Sequence, residues 1–465
     1  MYMGEVPDMP PAPEDNSAPP APRERKIPRH RTQRGVTAQG NLQRFIGRVH
    51  LPRTPLLWLA ILGPGLIAAN AGNDAGGIAT YSQAGAKYGY SLIWVLLLIT
   101  VSLAVVQEMC ARMGAVTGKG LSDLIREQFG IRWTLFATVA LFVANACTAF
   151  SEFFGIAAAM ELIGVSRYIA VPVATVVLWF IVVRGSYKAV ERVFLLMTIA
   201  FLAYPLAAFL AHPNWMEVGK ETFIPTIHHS VDYLKITIAL IGTTVTPFMQ
   251  VYVQSSVAEK GVTPKEYPLE RIDVYAGAIF GDLIAFFIIV ATGAALYAHS
   301  QGHGVTIDSA QQAARALEPF AGPAAKVLFA IGLLGASLLA AAVLPLTTAY
   351  SVTEAFGFEK GVSMGLREAP VFMGIFTGLL AIGAGVSLIK DLPIFEVLLI
   401  VPVINGLLLP VVLIAALRLT NDRELMGEYH NGRIFNFVAV ATTIFVVALS
   451  STYIFMLVAR PFGVG

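Results

Sequence analysis

Ala71-Gly72-Asn73-Asp74-Ala75-Gly76-Gly77 is the stretch on which the reading of this chain turns. A mostly apolar run, Pro55 to Asn70, leads into it, and a shorter one, Ile78 to Ala86, leads out. One carboxylate thus lies inside a segment long enough to cross a bilayer, where a charge is costly and marks a functional position. Three glycines beside it, Gly72, Gly76 and Gly77, predict that the helix is interrupted there. A helix broken at mid-depth frees backbone carbonyls for ions. Asp74 is therefore the first candidate ligand.

The rest of the composition agrees. Of 465 residues, 56% are hydrophobic and only 13% charged, about half the charged fraction of a soluble domain. This predicts an all-α integral membrane protein. Cys110 and Cys147 fall in apolar segments with no metal-site or disulfide spacing, so both read as small buried hydrophobes. No nucleophile–base constellation stands out, which argues against an enzyme, and nothing calls for a cofactor. Residues 1–54 are rich in Pro and then in Arg, the composition of a disordered cytoplasmic tail that touches anionic lipid. A nucleic-acid partner is not expected.

Eleven apolar runs read as spans: 55–86, 91–112, 133–163, 168–184, 192–212, 233–258, 274–298, 323–356, 369–388, 393–418 and 434–459. Lys and Arg concentrate in the tail and in alternate loops, at 112–132, 184–192, 260–271, 360–367 and 418–433. That bias predicts a multi-pass cell-membrane protein with its N-terminus in the cytoplasm and its C-terminus on the opposite side. The stretch 117–129 carries Leu121, Leu124 and Ile125 at helical spacing and reads as a short interfacial helix.

The sixth span, Ile241-Gly-Thr-Thr-Val-Thr-Pro-Phe-Met-Gln250, is also interrupted, by Gly242 and Pro247 around three threonines. Proline removes a donor and clashes with the carbonyl four residues back. Five spans separate the two interruptions, so the second set of five is inverted relative to the first. Matching interruptions in inverted halves point to a substrate site. The expected plan is a tail (1–54) and a transporter domain (55–459), with repeats at about 55–212 and 233–418 and an extra helix at about 434–459.

Asp74 offers one hard oxygen, Ala71 and Thr243 their carbonyls, Thr246 a hydroxyl, and Gly77 only room. An all-oxygen site without a thioether, thiolate or imidazole in reach suits a hard cation: Mg²⁺, Mn²⁺, Ca²⁺ or Na⁺. Asp74 also fits the N-cap of the second half-helix. Glu152 in the third span and Asn405 in the tenth are candidates for an ion or proton pathway. Glu108 and Arg112, one turn apart, read as an intrahelical pair. Asp282 reads as lying nearer an interface, where it would help attract cations.

These residues resemble the NRAMP divalent-metal transporter family from about Leu62 to the last span. Gly63-Pro-Gly65 with Asp74-Ala-Gly-Gly77 is similar to that family's Gly-Pro-Gly…Asp-Pro-Gly-Asn. Arg112-Met-Gly-Ala-Val-Thr-Gly-Lys119 resembles its loop after span two, Gly242-Thr-Thr-Val-Thr-Pro-Phe248 its Gly-Ala-Thr-Val-Met-Pro-His, and Asn421-Asp-Arg-Glu-Leu-Met-Gly427 its loop after span ten. The resemblance implies a LeuT-type fold. The departures share a direction. Gly77 stands for the family's binding asparagine and Thr246 for its methionine. Phe248 and Val253 stand for histidines, Ala149 for an acid and Lys260 for an arginine, and 392–418 holds no glutamine. This pattern resembles the NRAMP-related magnesium transporter branch.

The resemblance thus implies uptake of Mg²⁺ and/or Mn²⁺ by alternating access with weak or no proton coupling, in a monomer whose partners are its substrate ions and the lipid bilayer. Two other readings are a proton-coupled Mn²⁺/Fe²⁺ importer of the usual NRAMP type and an amino-acid or amine transporter on the same fold.

Overall fold

The computed structural model describes residues 63–459, apart from 229, 299, 301–302, 311, 315–323, 391 and 393. The 1–54 tail and the start of the first span lie outside these. Ten helices among the described residues are long and apolar enough to cross a membrane. The broken first span precedes them as two short helices, α1 (Pro64–Ala71) and α2 (Ala75–Tyr88). Then come α3 (Ile93–Thr117), α4 (Leu121–Leu162), α5 (Arg167–Arg184), α6 (Tyr187–Leu210) and the short loop helix α7 (Trp215–Phe223). The second half begins with another broken span, α8 (Val231–Thr244) and α9 (Pro247–Lys260). It continues through α10 (Tyr267–Thr292), α11 (Ala324–Phe356), α12 (Pro370–Ser387) and α13 (Ile394–Asn421), with α14 (Arg433–Ala459) last.

The stretch 117–129 is helical from Leu121 onward, and Leu121, Leu124 and Ile125 are buried. It runs into the third span through a turn at Gly130, whose φ of 76° favours glycine. The kink at Gly130 divides α4 into two helices, the short one and the third span, as the sequence predicts.

The broken spans occupy the centre. The apolar stretch of the α8–α9 span is wholly buried, whereas that of α14 is 28% buried. Around them α4 packs along α11, α8 along α13, and α1 along α10. Small residues bring some of these helices into backbone contact. A Cβ on Gly242 would sit 2.1 Å from the Pro402 carbonyl oxygen and 2.4 Å from the Gly406 nitrogen, so α8 and α13 touch main chain to main chain. Gly277 and Gly65 bring α10 onto α1 in the same way.

Distant carboxylates hold the short helix α1 in place. Its first N–H groups lack intrahelical acceptors. Asp273 of α10 supplies them, accepting from Gly63 at 2.8 Å, Gly65 at 2.6 Å and Leu66 at 3.2 Å. Lys260 stands at the same end, 3.3 Å from Glu191 and 3.7 Å from Glu270.

Candidate functional site

The first span breaks over Gly72-Asn73-Asp74 and the sixth over Val245-Thr246. The two breaks face each other: α1 packs on α9 and α2 on α8. Two threonines staple them. Thr243 Oγ1 donates to the Gly72 carbonyl at 3.0 Å, and the Thr244 and Tyr81 hydroxyls lie 3.0 Å apart. The hydroxyls of the sixth span thus meet both halves of the first.

Asp74 is buried and caps α2, accepting from the Gly77 N–H at 2.6 Å. Its neighbour Asn73 donates to the Gly281 carbonyl of α10 at 2.7 Å, anchoring the far side of the break. Asp282, next along α10, is buried and lies past the middle of that helix (Tyr267–Thr292), beside the break rather than early in the span as the sequence suggested. The unwound backbone behaves as helix chemistry requires. The carbonyl of Thr243 would normally accept from residue 247, but that residue is Pro247 and has no N–H. The carbonyl of Ala71 would normally accept from Ala75, but Ala75 N donates to Glu152 Oε2 at 3.0 Å instead. Both carbonyls named from sequence therefore lose their helical partners, for two different reasons. Thr246 Oγ1 is buried without a hydrogen-bond partner.

Glu152 thus holds the start of α2, and the contact is close. One turn on, a Cβ at Gly155 would fall 2.5 Å from the Ala75 Cβ and 2.2 Å from Ser337 Oγ of α11. Asn405 meets the third span one turn before Glu152, donating to Thr148 Oγ1 at 3.1 Å. Glu108 and Arg112 pair at 3.1 Å as expected. Arg112 also donates to the Tyr429 carbonyl and to Asn431 Oδ1, each at 2.6 Å, and so ties α3 to the loop before α14.

Two expectations need correction. Gly77 does not leave room. A Cβ there would lie 2.6 Å from Thr243 Oγ1, 2.9 Å from the Gly72 carbonyl and 3.2 Å from Asp74 Oδ1. The oxygens close onto the glycine, and it contributes no side-chain ligand. The surroundings also include a thioether. Met249, one turn into α9, places its methyl where a Gly72 Cβ would be, 1.5 Å from that point, with its sulfur 3.3 Å from it. Gln107 Nε2 of α3 contacts the same sulfur at 3.7 Å. The notch that admits Met249 is made by Gly72, on another span, so spacing within the sixth span gave no signal of it.

Two carboxylates thus meet the break, Asp74 as the cap of α2 and Glu152 as acceptor for the Ala75 N–H, beside two carbonyls without helical partners, one unpartnered hydroxyl and a thioether. Among the described residues no group of three or more His, Cys, Asp or Glu side chains could hold a metal ion.

Comparison with known proteins agrees. The family model described as natural resistance-associated macrophage protein-like matches residues 65–456. The divalent metal cation transporter MntH of Ralstonia nicotianae is 31% identical, covering 84% of this chain and 90% of that protein. The Bacillus subtilis protein of the same description is 27% identical over 84% and 91%. Among solved structures, the Eremococcus coleocola manganese transporter superposes with a TM-score of 0.67 at 19% identity, covering 90% of this chain and 91% of that one. A nucleobase-cation-symport-1 family transporter superposes at 0.51 with 15% identity, covering 84% and 87%. At these identities the structural likeness speaks for the fold, a LeuT-type arrangement with broken first and sixth spans. With most of its length matched by the family model, the chain belongs to the Nramp family.

Proposed function

We propose that this protein carries divalent cations, Mg²⁺ and Mn²⁺, into the cytoplasm by alternating access, with weak or no coupling to protons. One observation carries the reading. Asp74 is the carboxylate within the break, and the oxygens proposed to join it are those of Ala71, Thr243 and Thr246. The support is that Thr243 bridges the two breaks while the Thr246 hydroxyl is buried without a partner. Oxygen donors around a carboxylate suit a hard, partly hydrated divalent ion. The relatives described as divalent metal cation transporters support the general class. Weak coupling rests on Phe248, Val253 and Ala149, which carry no proton, and on Glu152, whose carboxylate serves as a backbone acceptor. Met249 beside Gly72 favours Mn²⁺ as the better held of the two, because a thioether prefers the softer ion.

The test is uptake into proteoliposomes containing a pH dye. Mg²⁺ and Mn²⁺ are expected to enter without acidifying the lumen. Cd²⁺ is expected to compete, and to compete less well in Met249→Leu, which keeps the bulk of the side chain and removes its sulfur. Metal-driven acidification would overturn the uncoupled reading, and a chain that passes neither ion would overturn the assignment.

Glu152 separates charge from positioning. Glu152→Gln keeps an oxygen for the Ala75 N–H and is expected to take up Mn²⁺ at close to the native rate. Glu152→Ala strands that buried donor, at a cost of about 1–3 kcal/mol, and is expected to melt earlier and transport less. If the glutamine variant fails as badly as the alanine one, the carboxylate charge itself is needed.

A further inference from the structure

At the turn marked by Gly130 a groove opens between α4 and α13. Two cavities meet there and share Phe129 and Arg418. One, of about 270 Å³, is an apolar slot between Trp133 and Phe136 of α4 and Pro410 and Ile414 of α13. The other, of about 490 Å³, lies beyond it and is lined by Gln128, Asn421 and Asp422. Trp133, Phe136 and Ile414 are exposed by 64%, 53% and 44% on spanning helices, so this face meets lipid rather than other helices.

Arg418 shares the wider cavity with Asp422 but makes no ion pair with it. Arg418 has no ion-pair partner among the described residues. Asp422 is one turn away, but its Oδ1 accepts from the N–H groups of Glu424 at 2.8 Å and Leu425 at 3.3 Å, capping the next short helix. Glu127 is taken by Lys119 at 2.6 Å. Arg132, adjacent to Trp133 in the chain, is exposed and also has no ion pair among the described residues. The order along the groove is apolar slot, tryptophan, guanidinium. That is the order of acyl chain, interfacial region and phosphate in a bilayer leaflet.

We propose that this groove seats one anionic glycerophospholipid, with an acyl chain between Trp133, Phe136 and Ile414 and the phosphate on Arg418, assisted by Arg132. The Arg418 guanidinium, with no ion pair of its own among the described residues and its neighbour Asp422 engaged in capping, selects an anionic headgroup over a zwitterionic one, and exposed Arg132 beside Trp133 adds to that preference. The occupant bridges the amphipathic start of α4 and the end of α13.

The test uses the purified full chain in mild detergent, titrated with phosphatidylglycerol and with phosphatidylcholine of the same acyl chains, bound lipid being counted by native mass spectrometry. Phosphatidylglycerol is expected to be held about tenfold more tightly. The double variant Arg132→Gln/Arg418→Gln should stay monodisperse and lose that preference. Ile414→Trp, which fills the slot, should lose both lipids. Equal retention of the two lipids by the native protein, an undiminished preference in the double variant, or full retention by Ile414→Trp would each overturn the proposal.

Discussion

Replacing Asp74 by alanine is expected to reduce Mg²⁺ and Mn²⁺ uptake by roughly a hundredfold or more, since truncating one partner of a buried charge pair costs on the order of 2–5 kcal/mol. The residue has two roles that must be told apart. It is the charged group at the break, and it caps α2 through the Gly77 N–H at 2.6 Å. Losing an N-cap by itself costs about 0.5–2 kcal/mol of stability. Alanine removes both roles. Asparagine caps a helix as well as aspartate does and removes only the charge. Asp74→Asn is thus expected to purify and melt like the native protein while its uptake collapses, whereas Asp74→Ala loses uptake and also melts earlier. Native-rate uptake by Asp74→Asn would show that the cation does not depend on this carboxylate.

Gly242→Ala is expected to be among the most damaging glycine-to-alanine changes at the described residues. Its Cβ would meet the Pro402 carbonyl at 2.1 Å, the Gly406 nitrogen at 2.4 Å and the Gly406 Cα at 2.8 Å. All three are backbone atoms of α13, so no side chain can swing aside and the helices must part. Overpacking of this kind costs about 1–3 kcal/mol, and sometimes more. Because α8 carries Thr243, which holds the Gly72 carbonyl, separation would also disturb the facing breaks. The expected outcome is a clearly lowered melting temperature together with reduced uptake. Gly374→Ala is the control. It lies in α12 with nothing within 4 Å of the added methyl, and alanine favours a helix by about 0.5–1 kcal/mol over glycine, so that variant should be as stable as the native protein or more so. Equal melting of the two variants would show that the contact between α8 and α13 is looser than described.

The sequence made the broken helices legible because their causes are local. Glycines beside Asp74 and a proline at 247 act on backbone groups within four residues. The freed Thr243 carbonyl follows from Pro247 alone, and the cap on α2 follows from Asp74 standing three residues before Gly77. The sequence points to the Ala71 carbonyl, yet what takes its helical donor lies far away, in Glu152, which accepts the Ala75 N–H. Asp273 was not singled out at all, because it caps a helix 208 residues back in the chain and no local pattern marks such a partner.

What the sequence determined by itself was the membrane class, the two interruptions and the single carboxylate between them, since composition and short-range backbone chemistry suffice for each. Only the tertiary structure decided what surrounds that carboxylate. Gly77 looked like empty space until Thr243 Oγ1 and the Gly72 carbonyl were found closed upon it, and the site looked free of sulfur until Met249 was found seated in the notch at Gly72. Both features arise where two spans meet, and which atoms fill the gap left by a glycine is settled by packing between helices far apart in the chain.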